Sequence, residues 1–179
     1  MLKIRGALLA MAALSAMAFA TKNADAKVYS LPSSNPVATI DLPDSWKPDT
    51  FDGGVEMTSP DGGLYFSAES VTGKELSSTI ADTLKTLEGQ GLQIDPSSKQ
   101  ENDFENNGVK FHDFSYKATD KDGPTNFELI IIDTDQPGTY VMLTYWGSDA
   151  ADKANDDAMT KVMQSIPVSY THLTLPTKR

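Results

Sequence analysis

The sequence predicts an α+β fold in which helices pack on an antiparallel sheet. The predicted elements follow the order strands, helix, four strands, helix. Short turns rich in glycine, proline and asparagine join the four later strands, and connections of that length make neighbouring strands antiparallel. Each helix has apolar residues along one side only, which is typical of a helix that covers a sheet.

Four short strands are predicted before the first helix. The segments 28–31 and 37–42 are extended and flank a turn that contains two prolines. The segments 54–58 and 64–71 flank the sequence Ser-Pro-Asp-Gly-Gly, which favours a hairpin. Between these two pairs, residues 43–48 are predicted to form a turn that contains one tryptophan.

Local signals at their ends predict the two helices. Thr72 and Glu75 form a capping box that starts the first helix, and Gly89 and Gly91 end it. Ser148 is the predicted N-cap of the second helix, whose apolar residues recur at spacings of three and four. The apolar stripe of the first helix consists of Leu76, Ile80, Leu84 and Leu87.

One of the four strands between the helices has an irregular apolar pattern. Val109 and Phe111 alternate in one phase, whereas Phe114 and Tyr116 alternate in the other. We interpret this change of phase as a β-bulge or a bend near His112. The four strands are predicted at residues 99–104, 109–119, 125–133 and 139–146.

The first 26 residues have the pattern of a secretory signal peptide. Lys3 and Arg5 precede an uncharged, mostly apolar stretch that ends in the cleavage site Ala18-Phe19-Ala20. We expect cleavage after Ala20 or Ala26 and a periplasmic or secreted protein. The sequence has no cysteine for lipid attachment and no later segment apolar enough for a bilayer, so we expect neither a lipid anchor nor a membrane span.

Residues 27–168 are predicted to form a single domain, and residues 169–179 form a tail. The tail resembles the translated sequencing-adaptor read-through that ends some environmental gene models. We therefore leave it out of the functional argument and expect the natural C-terminus to be missing. A genuine extended tail is the alternative interpretation.

The charge of the chain narrows the choice of partners. The chain carries 15 Lys and Arg against 25 Asp and Glu, a formal net charge of −10. Residues 27–168 contain no arginine, which weakens phosphate recognition, and their acidic surface repels nucleic acid. The absence of cysteine excludes disulfides, thiol catalysis and zinc–thiolate sites. Cations and basic proteins fit such a surface, although solubility alone explains the same charge.

Residues 38–46 have the sequence Ala-Thr-Ile-Asp-Leu-Pro-Asp-Ser-Trp, which resembles the strand–Pro–small–Trp opening of PsbP-like domains. The order of elements over residues 28–167 also matches this family, which includes the extrinsic photosystem subunit and small bacterial envelope proteins. The resemblance implies an antiparallel sheet of six to seven strands flanked by two main helices, a PsbP-like α/β/α sandwich. It also implies a non-catalytic accessory or assembly protein, and it passes on no catalytic residues.

Three large aromatic residues are candidates for a ligand-binding cleft, namely Trp46, Tyr145 and Trp146. Packing in the core is the alternative interpretation for all three. His112 is the one histidine of residues 27–168, and we interpret it as a structural or surface residue because the partners of a catalytic triad are not evident.

Two predicted turns carry aspartate pairs, Asp120 with Asp122 and Asp133 with Asp135. These four carboxylates could form a weak divalent-cation site if the turns converge. The second pair only partly resembles a calcium loop, since Pro137 stands at the fifth ligand position, and a hairpin turn explains it better. We therefore predict neither a resident metal nor a cofactor.

The sequence leaves three functional hypotheses. The first is an exported, acidic, non-catalytic protein of the cell envelope that binds a protein partner or assists assembly. The second is a periplasmic protein that binds a small molecule or a divalent metal. The third, supported only by the abundance of acidic residues, is a carboxylate-based hydrolase.

Overall fold

The computed structural model describes residues 26–106 and 109–166. Within that part of the chain, nine strands, two α-helices and one short 3-10 helix follow one another. In chain order they are β1 (Ala26–Leu31), β2 (Ala38–Pro43), the 3-10 helix (Asp44–Trp46), β3 (Asp49–Phe51), β4 (Gly54–Thr58), β5 (Leu64–Thr72), α1 (Leu76–Gly89), β6 (Gln93–Asn106), β7 (Val109–Asp120), β8 (Gly123–Asp133), β9 (Thr139–Gly147) and α2 (Asp149–Ser165).

Seven of these strands form one antiparallel sheet in the order β3-β4-β5-β9-β8-β7-β6, and β1 pairs with β2 in a separate two-stranded sheet. Neighbours in the chain are neighbours in the large sheet except at β5, which pairs with β9. The chain therefore crosses from β5 to the far edge through α1 and returns strand by strand. The predicted α+β class, with an antiparallel sheet flanked by two main helices, is confirmed.

Both faces of the seven-stranded sheet are covered. We call the side that packs against β1, β2 and α2 the hairpin face, and the opposite side the α1 face. Successive residues of a strand point to opposite faces, so a central strand needs apolar residues at nearly every position. In β8, Ile130 and Ile132 lie on the hairpin face, whereas Leu129 and Ile131 lie on the α1 face.

The hairpin face carries the larger core. From the two-stranded sheet, Leu31, Ile40 and Leu42 are completely buried in it. Helix α2 contributes Met159 and Val162 to the same cluster. These contacts fix α2 against the sheet, which matters because the first turn of α2 borders the candidate site.

The α1 face is covered more thinly. Leu87 is the buried residue of α1, and the other three predicted members of its stripe are only half-buried. Thr144 is completely buried on this face, and its hydroxyl has no hydrogen-bond partner among the described residues. Helix α1 therefore packs on this core along its whole stripe, but it buries a side chain fully only at Leu87.

The start of α1 differs from the prediction. The helix begins at Leu76, and its N-cap position is Glu75, which has no side-chain capping bond. The Thr72 hydroxyl instead donates to the Glu75 carboxylate at 2.6 Å. The capping-box residues therefore close a turn before the helix, and the prediction of Thr72 as N-cap is wrong.

Two strands also differ from their predictions. Strand β6 begins at Gln93, six residues before the predicted start. The register between β6 and β7 shifts between Asp95 and Gln100, and this shift accommodates the Pro-Ser-Ser sequence within the strand. Strand β3 was not predicted, since it has only three residues and all are exposed.

The β-bulge predicted near His112 is wrong. Strand β7 pairs with β8 from Phe111 to Asp120 without a shift in register. The change of phase has another cause: Phe111 belongs to the core on the hairpin face, whereas Phe114 and Tyr116 belong to the one on the α1 face. One regular strand thus supplies two cores.

Some predictions concern parts of the chain outside the described residues. They include most of the signal peptide, with the cleavage site after Ala20, and the tail at 169–179. None of the helices within residues 26–106 and 109–166 has the length and apolar character needed to cross a membrane.

Candidate binding groove beside helix α2

A cavity of about 830 Å³ lies where the N-terminus of α2 meets one end of the large sheet. We call it the α2 groove. Its lining comes from the start of β6, the end of β7, the start of β8 and the first residues of α2. The lining residues are Gln93, Ile94, Asp95, Lys117, Ala118, Thr119, Pro124, Thr125, Asn126, Ser148, Asp149 and Ala150.

A short hydrogen-bonded chain crosses this lining from β7 to α2. The Lys117 ammonium donates to Oδ1 of Asn126 at 2.8 Å, and Nδ2 of Asn126 donates to Oδ1 of Asp149 at 2.9 Å. Lys117 and Asn126 are register partners, so their side chains share one face of the sheet. The amide of Asn126 is thereby held between a cation and a carboxylate.

A group of acidic side chains lies next to the groove on the hairpin face. Glu128 follows Asn126 by two residues on β8, and its register partners are Ser115 on β7 and Tyr145 on β9. Asp113 lies diagonally across from Glu128 on β7, and Asp152 reaches the same place from α2. We call Asp113, Glu128 and Asp152 the carboxylate cluster.

The end of β9 and the start of α2 position Asp152. The Tyr145 hydroxyl donates to Oδ1 of Asp152. A Cβ at Gly147 would lie 2.9 Å from that oxygen and 3.2 Å from the tyrosine hydroxyl, so glycine leaves room for the contact. Ser148 caps α2, because its Oγ accepts the N–H of Ala151 at 3.2 Å, and this fixes the first turn that carries Asp152.

Burial raises the pKa of the carboxyl groups in the cluster. It raises that of Glu128 to about 7, and the negative charges of Asp113 and Asp152 act in the same direction. Burial also raises the pKa of Asp113 to about 6. For Asp152, burial raises the pKa while hydrogen bonds from Tyr145 and Asn126 oppose the rise. The pKa of the Tyr145 hydroxyl is raised as well, by burial and by its bond to Asp152.

The carboxylate cluster has no basic partner within the described residues. Among residues 26–106 and 109–166, no Lys or His nitrogen forms an ion pair with Asp113, Glu128 or Asp152. One buried oxygen of Asp113 also has no hydrogen-bond donor in that part of the chain. A cation supplied from outside would lower the cost of ionising these buried carboxyls.

The three predicted aromatic residues do not share one cleft. Trp46 is buried in the core on the hairpin face, to which Tyr145 also belongs. Trp146 lies on the α1 face beside Tyr65, with ring centroids 6.4 Å apart, and its indole N–H donates to Asp120 at 3.0 Å. Tyr145 is thus the one aromatic of the three that contacts the carboxylate cluster.

The turn aspartates are not brought together. Asp120 and Asp122 lie at the start of β8, and Asp133 lies at its end. Strand β8 has 11 residues at about 3.4 Å each, so the two turns are more than about 30 Å apart. Within the described residues, no group of three or more His, Cys, Asp or Glu side chains is arranged to hold a metal ion.

His112 lies on β7, and its Nδ1 is 2.9 Å from Oδ1 of Asp103 on β6. Its side chain is 39% exposed, so this contact is a surface pair between neighbouring strands. That placement agrees with the structural or surface role expected for this histidine.

The carboxylate cluster was not predicted from the sequence. Its members come from β7, β8 and α2, and the pairing register that joins them is not visible in the residue order. One signal was available, since Glu128 interrupts an otherwise apolar stretch between Phe127 and Leu129. An acid inside a strand that is buried on both faces needs a specific environment.

Comparisons with known proteins bear on the fold. No protein-family profile matches the sequence, and no curated protein is significantly similar to it. Among solved structures, cyanobacterial PsbP (CyanoP) from Synechocystis sp. PCC 6803 matches 86% of this chain and 98% of its own, with a TM-score of 0.54 and 10% identity. The chain has a PsbP-like fold. The resemblance of residues 38–46 to PsbP-like domains is thereby confirmed at the level of the fold.

Two other solved structures are also similar to this PsbP-like chain. A Pseudomonas aeruginosa protein of unknown function, PA94, has a TM-score of 0.42 and 15% identity over 85% of this chain and 99% of its own. The Saccharomyces cerevisiae Ran-binding protein Mog1p has a TM-score of 0.45 and 12% identity over 80% of this chain and 95% of its own. A shared fold does not determine function, which has to be argued from the groove itself.

Proposed function

We propose that this chain is an exported, non-catalytic accessory protein that binds a basic segment of a partner protein in the cell envelope through the α2 groove. The observation that carries the proposal is the carboxylate cluster, which is held beside an open cavity without a neutralising cation among the described residues. A lysine or arginine of the partner would supply the missing charge. The PsbP-like fold supports an accessory role, because the family is mostly non-catalytic.

The chemistry of the groove favours a basic partner over an anionic ligand. Lys117 is the basic residue of the lining, and it already donates to Asn126. Asp95 and Asp149 contribute carboxylates to the lining, and the carboxylate cluster adds three more nearby. Negative potential focused in a concave site attracts cationic groups and speeds their association.

The experiment that tests the proposal is in-cell crosslinking of the full chain, carrying an affinity tag, followed by identification of captured proteins. A matched variant neutralises the cluster with near-isosteric residues: Asp113→Asn, Glu128→Gln and Asp152→Asn. The control variant makes the same change of charge at three exposed positions outside the groove: Asp44→Asn, Asp82→Asn and Glu88→Gln. Fractionation of the same cells tests export.

We expect one envelope protein to be recovered by the wild type and the control, and about tenfold less by the cluster variant. With purified proteins, binding should weaken from about 50 to about 300 mM salt, because salt screens charge pairs. If the cluster variant recovers the envelope protein as well as the wild type does, the groove is not part of the interface. Recovery of no specific protein would count against a protein partner altogether.

The volume of the cavity favours a second candidate, a small cationic molecule. About 830 Å³ lies within the range of about 300–1,000 Å³ that is usual for small-molecule sites. The test is the melting temperature of the full chain with polyamines and, separately, with divalent ions. A polyamine that raises the melting temperature of the wild type but not that of the cluster variant would support this candidate. A melting temperature that changes with neither the polyamines nor the divalent ions would reject it.

A further inference from the structure

The edge strand β6 offers a second type of binding surface. It is the last strand of the large sheet, and within residues 26–106 and 109–166 it pairs with β7 alone. From Gln100 to Glu105 its register with β7 is continuous, and the shift in register lies before this segment. Along a regular edge strand, alternate N–H and C=O groups point away from the sheet without a strand to pair with.

The segment is accessible and contains no proline. All of its residues are exposed except Phe104, which is half-buried and stacks on Phe111 with ring centroids 4.7 Å apart. This stacking holds the strand in place while its outer edge stays open. An extended peptide can therefore add to it as a further strand, which is a common mode of peptide recognition.

The opposite edge of the sheet lacks these properties. Strand β3 has only the three residues Asp49–Phe51, which is too short for a stable ladder of backbone hydrogen bonds. The two edges thus differ in length by 11 residues, since β6 has 14. Strand addition is therefore argued for β6 alone.

Charge decides which kind of strand fits. Glu101, Asp103 and Glu105 alternate along the segment, so their side chains share one face of the sheet. The first two side chains are 61% and 78% exposed although each contacts a basic residue of this chain, Lys99 or His112. Two β6 edges paired in antiparallel would place these acids opposite one another, which disfavours a second copy of the chain.

We propose that the free edge of β6 between Gln100 and Glu105 binds an extended segment of a basic partner protein as an eighth strand. Lys or Arg at alternate positions of that segment faces Glu101, Asp103 and Glu105. The inference rests on the proposed function in one respect, that the partner is a basic protein. The proposed strand addition uses the outer edge of β6 and not the α2 groove, so an experiment can contradict either proposal without contradicting the other.

The test uses a labelled synthetic peptide with blocked ends, in which lysine alternates with threonine or valine. Fluorescence anisotropy measures its affinity for the full chain, and amide hydrogen exchange by NMR locates it. We expect exchange at alternate amides of Gln100–Glu105 to slow by about tenfold or more. The variant Glu101→Lys, Asp103→Lys, Glu105→Lys should weaken binding by at least about tenfold, whereas Asp44→Lys, Asp82→Lys, Glu88→Lys should not.

A second variant keeps the test independent of charge. Proline at a position where the peptide slows exchange removes an outward N–H and leaves the β6–β7 ladder intact, so it should abolish binding without unfolding the chain. Absence of binding, binding without protection of β6, or equal loss in the control variant would each overturn the proposal. The neutralised carboxylate cluster should leave β6 protection unchanged, which separates this result from failure of the groove.

Discussion

Among the residues that the structure describes, the core on the hairpin face of the large sheet contains 20 buried hydrophobic residues, whereas the core on the α1 face contains eight. Both faces are built by the same strands, so the difference comes from what covers them. Strands β1 and β2 together with α2 cover the hairpin face, whereas in the described part of the chain α1 is the one element that covers the other. The free energy of folding should therefore depend mostly on the hairpin face, because buried apolar area sets the hydrophobic contribution.

The unequal burial of the two faces also explains why the carboxylate cluster beside the groove is held firmly in place. Its carboxylate cluster lies at the margin of the deeper core, where Tyr145 and the first turn of α2 are held by packing. A charged site needs such support, since buried carboxyls cost free energy unless the surrounding structure holds them in place. The carboxylate cluster and the larger core thus lie on the same side of the sheet.

The largest expected effect comes from a cavity on the hairpin face. Phe66 is 1% exposed in that core, and Phe66→Ala should lower the free energy of unfolding by about 3–5 kcal/mol. Leu84 of α1 is only half-buried, so Leu84→Ala should cost about 1 kcal/mol. Urea unfolding of the full chain measures both values. Similar losses in the two variants would contradict the unequal roles of the two faces.

The next effect concerns Glu128, whose pKa rises from the ordinary value of 4.5 to about 7 on folding. The folded protein therefore binds a proton at Glu128 in a pH range where the unfolded chain does not. The resulting contribution to stability is fully present below about pH 4.5 and is lost as the pH rises through about 7. This group alone should make the protein more stable at pH 5 than at pH 8.

Glu128→Gln tests this linkage. The variant should be more stable than the wild type by about 2–3 kcal/mol at pH 8 and nearly equal to it near pH 4.5, because glutamine has no charge to bury. Urea unfolding across this pH range is the measurement, with Glu88→Gln as the exposed control on α1. A constant difference between variant and wild type at all pH values would show that Glu128 is not held as the geometry indicates.

Much of the architecture could be predicted from local signals. Glycine and proline turns marked the boundaries of the antiparallel strands, and Ser148 marked the start of α2. The signals failed where tertiary contacts override them. Strand β6 was predicted to begin at residue 99, yet a shift in register keeps the residues from Gln93 onward in the strand, and the phase change in β7 reflects two cores on a regular strand.

The site was less predictable than the fold because it depends on pairing. Tyr145 and Trp146 are adjacent in the sequence and therefore lie on opposite faces, so only one of them can contact the carboxylate cluster. Asp113, Glu128 and Asp152 meet through the register of β7 with β8 and the packing of α2. No spacing in the sequence encodes either contact.

The smallest expected effect separates the two helices at their first turns. Ser148 caps α2 directly, so Ser148→Ala should cost about 1 kcal/mol of unfolding free energy. Thr72 hydrogen-bonds only the exposed side chain of Glu75, so Thr72→Ala should cost less than about 0.5 kcal/mol. Urea unfolding measures both values. A larger loss at Thr72 than at Ser148 would contradict this order, because the turn before α1 would then contribute more to the free energy of unfolding than the cap of α2 does. If the predicted order is found, the stronger of the two helix starts is the one beside the carboxylate cluster. Ser148 then both stabilises α2 and fixes the first turn, which carries Asp152.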